Sequence, residues 1–135
     1  VEEVDVNVED HRGFVCLHWA ALGGHEKIVE GALSAGADIE KRTKKGSSAL
    51  LLAAWKGHTS VLEVLLRNSA DLGATNSGGM TALGWAVEMG NEKIAELLLD
   101  RGAAVDAQLI QRSRTMLPQN MKVAQLLSAS YLPGK

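Results

Sequence analysis

The sequence predicts an all-α solenoid of stacked helix–turn–helix units. One constant 33-residue step runs through most of the chain, and each unit contains two short apolar patterns with helical spacing. Such a step, which we call the repeat step, identifies an architecture in which each unit packs mainly on its neighbours. The positions that keep it through three copies include Gly13, Gly46 and Gly79, Gly24, Gly57 and Gly90, Leu17, Leu50 and Leu83, and Ala20, Ala53 and Ala86.

The first helix of each unit is predicted to be short and to carry small side chains on its buried face. In the first unit, Leu17, Ala20 and Ala21 have the spacing of one helical face. Gly24 ends this helix, because glycine readily adopts the left-handed conformation found just beyond a helix C-terminus. A face made of alanines lets neighbouring units approach closely, so we expect the stack to curve.

The second helix of each unit is predicted to bury larger aliphatic side chains. In the first unit this apolar stripe is Ile28, Val29, Ala32 and Leu33, and Gly36 closes the helix. The corresponding stripes of the next two units are Val61, Leu62, Leu65 and Leu66, then Ile94, Ala95, Leu98 and Leu99.

The repeating unit resembles the ankyrin repeat, whose pattern runs Asp-x-x-Gly-x-Thr-Pro-Leu-His, Ala-Ala-x-x-Gly-His, Leu-Leu and Gly-Ala-Asp. The resemblance covers residues 5–107, and it implies an ankyrin-repeat solenoid with repeats at 10–42, 43–75 and 76–108. The residues of the first unit that carry it are Asp10, Gly13, Leu17-His18, Ala20-Ala21, Gly24-His25, Ile28-Val29, Ala32-Leu33 and Gly36-Ala37-Asp38-Ile39.

The turn before each first helix departs from the family pattern. The usual proline is absent from all three units, the threonine is kept only as Thr81, and the histidine is kept only as His18. In the family this threonine hydroxyl and this imidazole are hydrogen-bonded partners, and no unit here holds both. Each lost bond is expected to loosen its turn by about 1 kcal/mol.

The two ends of the chain differ from its middle. Asp5-Val6-Asn7 lies one repeat step before Asp38-Ile39-Glu40. Residues 1–9 are therefore predicted to be the tail of a preceding repeat or an N-terminal extension, with a longer array cut at this point as the favoured interpretation. Residues 109–135 are predicted to form a degenerate capping repeat and tail, which Pro118 interrupts. Solenoids need such a terminal unit with a polar outer face.

Composition and charge exclude several classes of protein. The 14 Lys and Arg residues nearly balance the 16 Asp and Glu residues, which argues against a protein that coats a polyanion. The longest apolar run, at residues 49–55, is far shorter than the ~20 residues that span a bilayer, so no membrane insertion is expected. The single cysteine, Cys16, cannot form an internal disulfide. An intracellular location, in the cytoplasm or nucleus, is therefore predicted.

No catalytic or metal-binding pattern is found in the sequence. The four histidines are His11, His18, His25 and His58, and a zinc site would need further cysteine or carboxylate ligands at suitable spacing. The resemblance implies a structural role for His25 and His58, since the family uses this position to hydrogen-bond neighbouring loops. Cys16 and His18 are separated by a single residue, so they point to different sides of a helix. We predict that the chain is not an enzyme and has no cofactor or metal site.

The resemblance implies that partners bind the concave side of the solenoid, formed by the turn tips and the exposed face of each first helix. Carried over position by position, it selects the residues that we call the candidate surface. They are His11, Arg12, Phe14, Arg42, Lys44, Lys45, Ser47, Trp55, Lys56, Met80, Glu88 and Met89.

Two properties of the candidate surface indicate a function. Its tips concentrate positive charge that the net charge of −2 hides. Its bulky apolar members lie at nominally exposed positions and are of the kind that anchors protein interfaces; they are Phe14, Trp55, Met80 and Met89. The alternative interpretation of the lysines is a solvated tip. Trp19 and Trp85 share one repeat position, and they either border the same surface or pack between helices.

We therefore predict a non-catalytic protein–protein interaction module that binds an acidic or amphipathic partner protein or peptide. One alternative is a nucleic-acid-associated module that uses the basic tips, although these cluster at one junction between repeats and make a poor phosphate track. The other alternative is a regulatory ankyrin segment of a larger enzyme, channel or ligase. A small-molecule partner is not expected.

Overall fold

The described residues form three pairs of α-helices in a computed structural model, which describes residues 6–105, 109–111, 125–127 and 129. The helices are α1 (Cys16–Gly23), α2 (Glu26–Ser34), α3 (Ala49–Lys56), α4 (Thr59–Arg67), α5 (Ala82–Glu88) and α6 (Glu92–Asp100). The inner helices α1, α3 and α5 pack side by side in one layer, and the outer helices α2, α4 and α6 pack in a second layer. No β-strand occurs among these residues. The predicted all-α solenoid is confirmed.

The core lies between the two layers and continues from one unit to the next. Ala53 and Ala54 of α3 are fully buried, and their small side chains let α1 and α5 pack against α3 from both sides. Ile110 and Leu127, in short helical stretches after α6, join the same buried cluster. Most of the capping repeat predicted at 109–135, and part of the tail predicted at 1–9, lie outside the described residues.

The inner helices end at glycines in two of the three units, as the spacing predicts. Gly24 and Gly57 cap α1 and α3 in the left-handed conformation, with φ values of 75° and 78°. The third unit differs, because α5 ends at Glu88 and Met89 caps it in a right-handed conformation. The positive φ, 65°, then falls on Gly90.

The loops after the outer helices all contain one residue with positive φ. That residue is Gly36 in the first unit and Gly102 in the third, with φ values of 95° and 92°. The second unit places Ser69 at this position, with φ of 66°. A side chain in this conformation is strained, because its Cβ approaches the following carbonyl oxygen.

The inner helices of the second and third units begin with hydroxyl caps. The Ser48 hydroxyl accepts a hydrogen bond from the Leu51 N–H at 3.4 Å, and the Thr81 hydroxyl accepts one from the Gly84 N–H at 3.0 Å. Each cap satisfies one of the backbone N–H groups that a helix start leaves without an intrahelical partner. These two turns therefore keep the hydroxyl half of the family's threonine–histidine pair.

The first unit keeps the imidazole half instead. His18 is fully buried, with its Nδ1 accepting from the Val15 N–H at 3.0 Å and its Nε2–H donating to the Lys41 carbonyl at 2.8 Å. A backbone N–H can only donate and a carbonyl can only accept, so the ring is the neutral tautomer with its proton on Nε2. Burial lowers the pKa of His18, although the bond to Lys41 opposes this shift.

One residue of a predicted apolar stripe is exposed. Ile28 was expected to lie in the apolar stripe of the first unit, but 51% of it is accessible to solvent. Its equivalents Val61 and Ile94 are fully buried, because the preceding helix pair packs against α4 and α6. No described helix packs on the corresponding side of α2. The neighbouring Val29 is fully buried, as predicted.

Candidate partner-binding surface

Each turn tip is closed by the side chain of its first residue. The Asp10 carboxylate accepts from the N–H groups of Arg12 and Phe14 at 2.9 and 3.0 Å. Asn76 makes the same pair of bonds in the third tip, and the Thr43 hydroxyl makes one of them in the second. Desolvation raises the pKa of Asp10, but the hydrogen bonds to its carboxylate outweigh this and lower it. The tips are therefore fixed loops that hold their side chains in defined positions.

Neighbouring tips are joined by backbone hydrogen bonds. The Lys44 N–H donates to the Arg12 carbonyl at 3.0 Å, and the Ser77 N–H donates to the Lys45 carbonyl at 3.1 Å. The tips thus form one continuous row, with Arg12, Lys44 and Lys45 all exposed along it. The positive charge stops at the third tip, which presents Ser77 and Gly78.

Arg42 of the candidate surface and the neighbouring Lys41 have partners within the fold. The Arg42 guanidinium donates to the Gly46 carbonyl at 3.0 Å and to the Thr75 carbonyl, so it links the second tip to the loop before the third. Lys41 forms an ion pair with Glu9 at 2.9 Å. The positive charge of the candidate surface that is open to a partner is therefore carried by Arg12, Lys44, Lys45 and Lys56.

An aromatic cluster lies beside the first tip. The rings of Phe14 and Trp19 are 4.7 Å apart, and the Arg12 guanidinium lies over them, 5.8 Å from the first and 5.6 Å from the second ring centroid. The Trp19 ring N–H donates to the Asp10 carboxylate at 3.1 Å. Arg12 is thus held over apolar rings while its charge faces solvent.

A second aromatic cluster spans the junction between the second and third units. The rings of Trp55 and Trp85 are 5.9 Å apart, and the Lys56 ammonium lies 4.3 Å from the Trp55 ring centroid. Met89 occupies the repeat position of Lys56 one unit later, and it is 54% exposed. Trp55 is itself 36% exposed. The candidate surface therefore has an apolar centre with a cation directly beside it.

Trp19 and Trp85 share one repeat position, but one borders the candidate surface and the other packs between helices. Trp19 is 45% exposed and borders the candidate surface, whereas Trp85 is half-buried and packs across a junction against Trp55. Neither Trp19 nor Trp85 was selected as a site residue from the sequence. The signal was the separation of Trp55 and Trp85, which is slightly shorter than one repeat step and so relates neighbouring positions on the inner helices of adjacent units.

The remaining members of the candidate surface differ in exposure. His11 is exposed, whereas Ser47, Glu88 and Met80 are half-buried. The Met80 sulfur packs against the backbone of Gly84, where a Cβ would lie only 2.6 Å from it. Phe14, treated as exposed in the sequence analysis, is also half-buried. The half-buried side chains are less exposed than those of Trp55 and Met89.

Two of the four histidines, His18 and His58, form hydrogen bonds that join parts of the fold. The His58 Nε2–H donates to the Leu22 carbonyl of the preceding unit at 2.9 Å, which is the structural role that the resemblance implied. Cys16 is exposed while His18 is buried, so the two point to different sides of α1 as expected. Within the described residues, no three His, Cys, Asp or Glu side chains are grouped as metal ligands would be. Nor does that part of the chain contain a helix long and apolar enough to cross a membrane.

Comparisons with known proteins agree with this architecture. A family profile described as "Ankyrin repeats (3 copies)" matches residues 1–76 and 17–108. A stretch of 37 residues is 54% identical to the integrin-linked protein kinase homolog pat-4 of Caenorhabditis elegans. This match covers 27% of the chain and 8% of that protein, so the two are similar over a small part of the relative's length.

Proposed function

The chain belongs to the ankyrin repeat family, and on that basis we propose that it is a non-catalytic module that binds an acidic or amphipathic protein segment on the candidate surface. Ankyrin repeats are in general protein-interaction modules. The proposal adds which surface of this chain binds and that the partner segment is acidic or amphipathic. A wider role as the regulatory part of a larger enzyme, channel or ligase stays a prediction.

The observation that carries the proposal is the exposed aromatic centre at the junction of the second and third units. Trp55 stacks beside Trp85 and supports the Lys56 ammonium 4.3 Å from its ring centroid. An apolar partner side chain packed on Trp55 removes that ring from water, and tryptophan is among the residues that most often dominate interface energetics. A partner carboxylate next to Trp55 can form an ion pair with the Lys56 ammonium.

The distribution of charge supports a protein partner over a nucleic acid. Arg12, Lys44 and Lys45 lie along the first two tips, but the third tip has no basic residue. A nucleic acid strand needs cations spaced along its phosphates, and this row ends after the second unit. A short acidic segment needs only the cations present.

The proposal is tested with peptides selected on the wild-type chain from a displayed library of random sequences. We expect the selected peptides to combine acidic residues with a large apolar residue. The double variant Trp55→Ala/Lys56→Glu should weaken their binding by about 10-fold or more, because loss of an interface anchor is worth ~2 kcal/mol or more. Fluorescence anisotropy with labelled peptides gives the Kd values.

The matched control is Ile28→Ala/Lys27→Glu, which makes the same kinds of change on the exposed part of α2. It should leave peptide binding within about 2-fold of wild type, and both variants should keep wild-type helicity by far-UV circular dichroism. Equal binding by the Trp55 variant and the wild type would contradict the proposal. Tighter binding of labelled single-stranded DNA than of any peptide, with steep loss on adding salt, would favour the nucleic-acid alternative.

A further inference from the structure

The cations and the aromatic centre of the candidate surface lie at opposite ends of α3. Lys44 and Lys45 belong to the tip before Ser48, whose hydroxyl caps the N-terminus of this helix. Trp55 and Lys56 are its last two residues. An α-helix rises about 1.5 Å per residue, so the distance along α3 from its first residue to Trp55 is about 9 Å. The candidate surface therefore has two contact sites that a partner must span.

Three cations are held together at the N-terminal end of α3. The Lys44 N–H donates to the Arg12 carbonyl at 3.0 Å, which keeps the first and second tips adjacent. The Lys44 side chain also lies against the first tip, where a Cβ on Gly13 would be 3.2 Å from the Lys44 Cγ. Arg12, Lys44 and Lys45 are all exposed. We call these three residues the basic end.

The stretch of α3 between the basic end and Trp55 presents no exposed side chain. Residues 49–54 are alanines and leucines, and none of them is more than 5% exposed. We call residues 49–54 the α3 floor. Ser47 leads into this floor from the second tip, and its side chain is far smaller than those of Phe14 and Met80, which hold the same repeat position. A partner backbone can therefore lie close to α3 along the whole floor.

The helices on either side of α3 carry larger side chains at the corresponding place. The Phe14 ring lies 4.7 Å from the Trp19 ring of α1. The Met80 sulfur lies over the backbone of α5, 2.6 Å from where a Cβ on Gly84 would be. Ser47 is too short for either kind of contact. The open path on the candidate surface therefore runs along α3 rather than across the stack.

The position of the apolar surface favours an extended partner segment over a helical one. An amphipathic helix buries a stripe of apolar side chains along its length, so it needs apolar partners along the whole path. Trp55 and Met89, the large apolar side chains exposed beside this path, both lie at its far end. An extended segment rises about 3.3 Å per residue, so a segment with three residues between its two contacts spans about 13 Å. This length covers the floor and the turn before it.

We propose that the bound segment is extended along α3, with a pair of acidic residues on the basic end and one large apolar residue on Trp55, about three residues apart. This inference rests on the proposed function, and it adds the conformation of the partner and the spacing that the surface recognises. A segment with the same composition and a shorter spacing reaches only one of the two contact sites.

The test uses labelled synthetic peptides of equal length and composition, each with a glutamate pair, one phenylalanine and neutral serines and asparagines. The glutamate pair and the phenylalanine are separated by zero, three or seven residues, in both orders, and fluorescence anisotropy gives the Kd values. In the order that binds more tightly, the three-residue spacing should bind about 5-fold or more tighter than the zero spacing, because a linker too short to span two sites leaves one of them empty. The seven-residue spacing should bind more weakly than the three-residue one.

Two further comparisons test the conformation and the charge contact. A proline among the three intervening residues should change Kd by less than about 2-fold, because extended backbone accommodates proline and a helix does not. Lys44→Ser/Lys45→Ser should weaken the three-residue peptide by about 5-fold, and it should leave unchanged the binding of a peptide with glutamines in place of the glutamates. The matched control, Lys27→Ser/Lys93→Ser, removes two exposed lysines from the outer helices and should leave every Kd within about 2-fold of wild type.

The outcomes separate this inference from the proposed function. Equal binding at the zero and three-residue spacings overturns the inference, while Trp55-dependent binding of library-selected peptides would still support the proposed function. Tightest binding at the seven-residue spacing, with loss on adding proline, also overturns the inference, because it indicates a helical segment. If no library-selected peptide depends on Trp55, both the inference and the proposed function fail.

Discussion

The first and third units present similar side chains to opposite environments. Ile28 of the first unit is 51% exposed, whereas Ile94 at the same repeat position is fully buried. Their helices have the same length and begin at equivalent residues. The difference lies in what packs against them, since α4 contacts α6 but no described helix covers that side of α2. Burial in this fold is therefore a property of a junction between units rather than of a unit.

The largest expected effect on stability comes from truncating the isoleucine at the same repeat position in the first and third units. Ile94→Ala should lower the free energy of unfolding by about 2–5 kcal/mol, because the fully buried side chain leaves a cavity. Ile28→Ala should cost less than about 1 kcal/mol in the natural chain, since half of the side chain is already in water. Urea unfolding of both variants measures the difference. Equal costs would show that Ile28 is covered in solution.

The histidine at the start of α1 distinguishes the first unit in a second way. Burial lowers the pKa of His18 below its usual value of 6.5, so the unfolded chain takes up a proton before the folded chain does. The resulting stability is present above pH 6.5 and is lost as the pH falls below it. One such group contributes at most about 1.4 kcal/mol per pH unit.

The pH effect is measured by unfolding the wild type and His18→Gln in urea between neutral and mildly acidic pH. We expect the wild type to lose more stability than the variant as the pH falls below 6.5. Burial opposes the charged ring, and protonation would also remove the acceptor that Nδ1 offers to the Val15 N–H. Parallel pH profiles for the two proteins would contradict the assigned tautomer and burial.

The smallest expected effect is at the loop of the second unit. Ser69 has a φ of 66° where its equivalents are glycines. Ser69→Gly should raise the free energy of unfolding by up to about 1 kcal/mol, because glycine adopts this conformation without the steric cost of a Cβ. Gly36→Ala in the first unit is the reciprocal change and should destabilise. A loss of stability in Ser69→Gly would mean that the serine side chain contributes something the loop geometry does not reveal.

The repeat and its helices could be predicted from the sequence because both are local patterns. The glycines at the ends of α1 and α3 follow from the same logic, since their left-handed caps depend on the residue type at one position. The exposure of Ile28 could not be predicted in this way. An apolar residue at helical spacing indicates which face turns inward, but it carries no information on whether a neighbour covers the side of the unit.

The candidate surface was only partly predictable for a similar reason. The family pattern selects its positions, and the residue types at these positions show its positive charge. Neither gives the partners of the long side chains. The Arg42 guanidinium, for example, donates hydrogen bonds to backbone carbonyls of two loops and links them. The pairing of Trp55 with Trp85 depends on contact between units, so it needs the spatial offset of the stack in addition to the repeat step.

The close fit between neighbouring backbones limits how a chain of this kind can change length. A Cβ on Gly46 would lie 2.8 Å from the Ser77 nitrogen of the next tip, so the two loops already touch without any side chain between them. Inserting or deleting a few residues inside a unit moves one loop away from its counterpart and breaks the junction on both sides. Gain or loss of a whole unit rebuilds every junction as it was. Such a protein can therefore grow or shrink only by complete units, while its recognition properties diversify through side chains on a backbone that stays fixed.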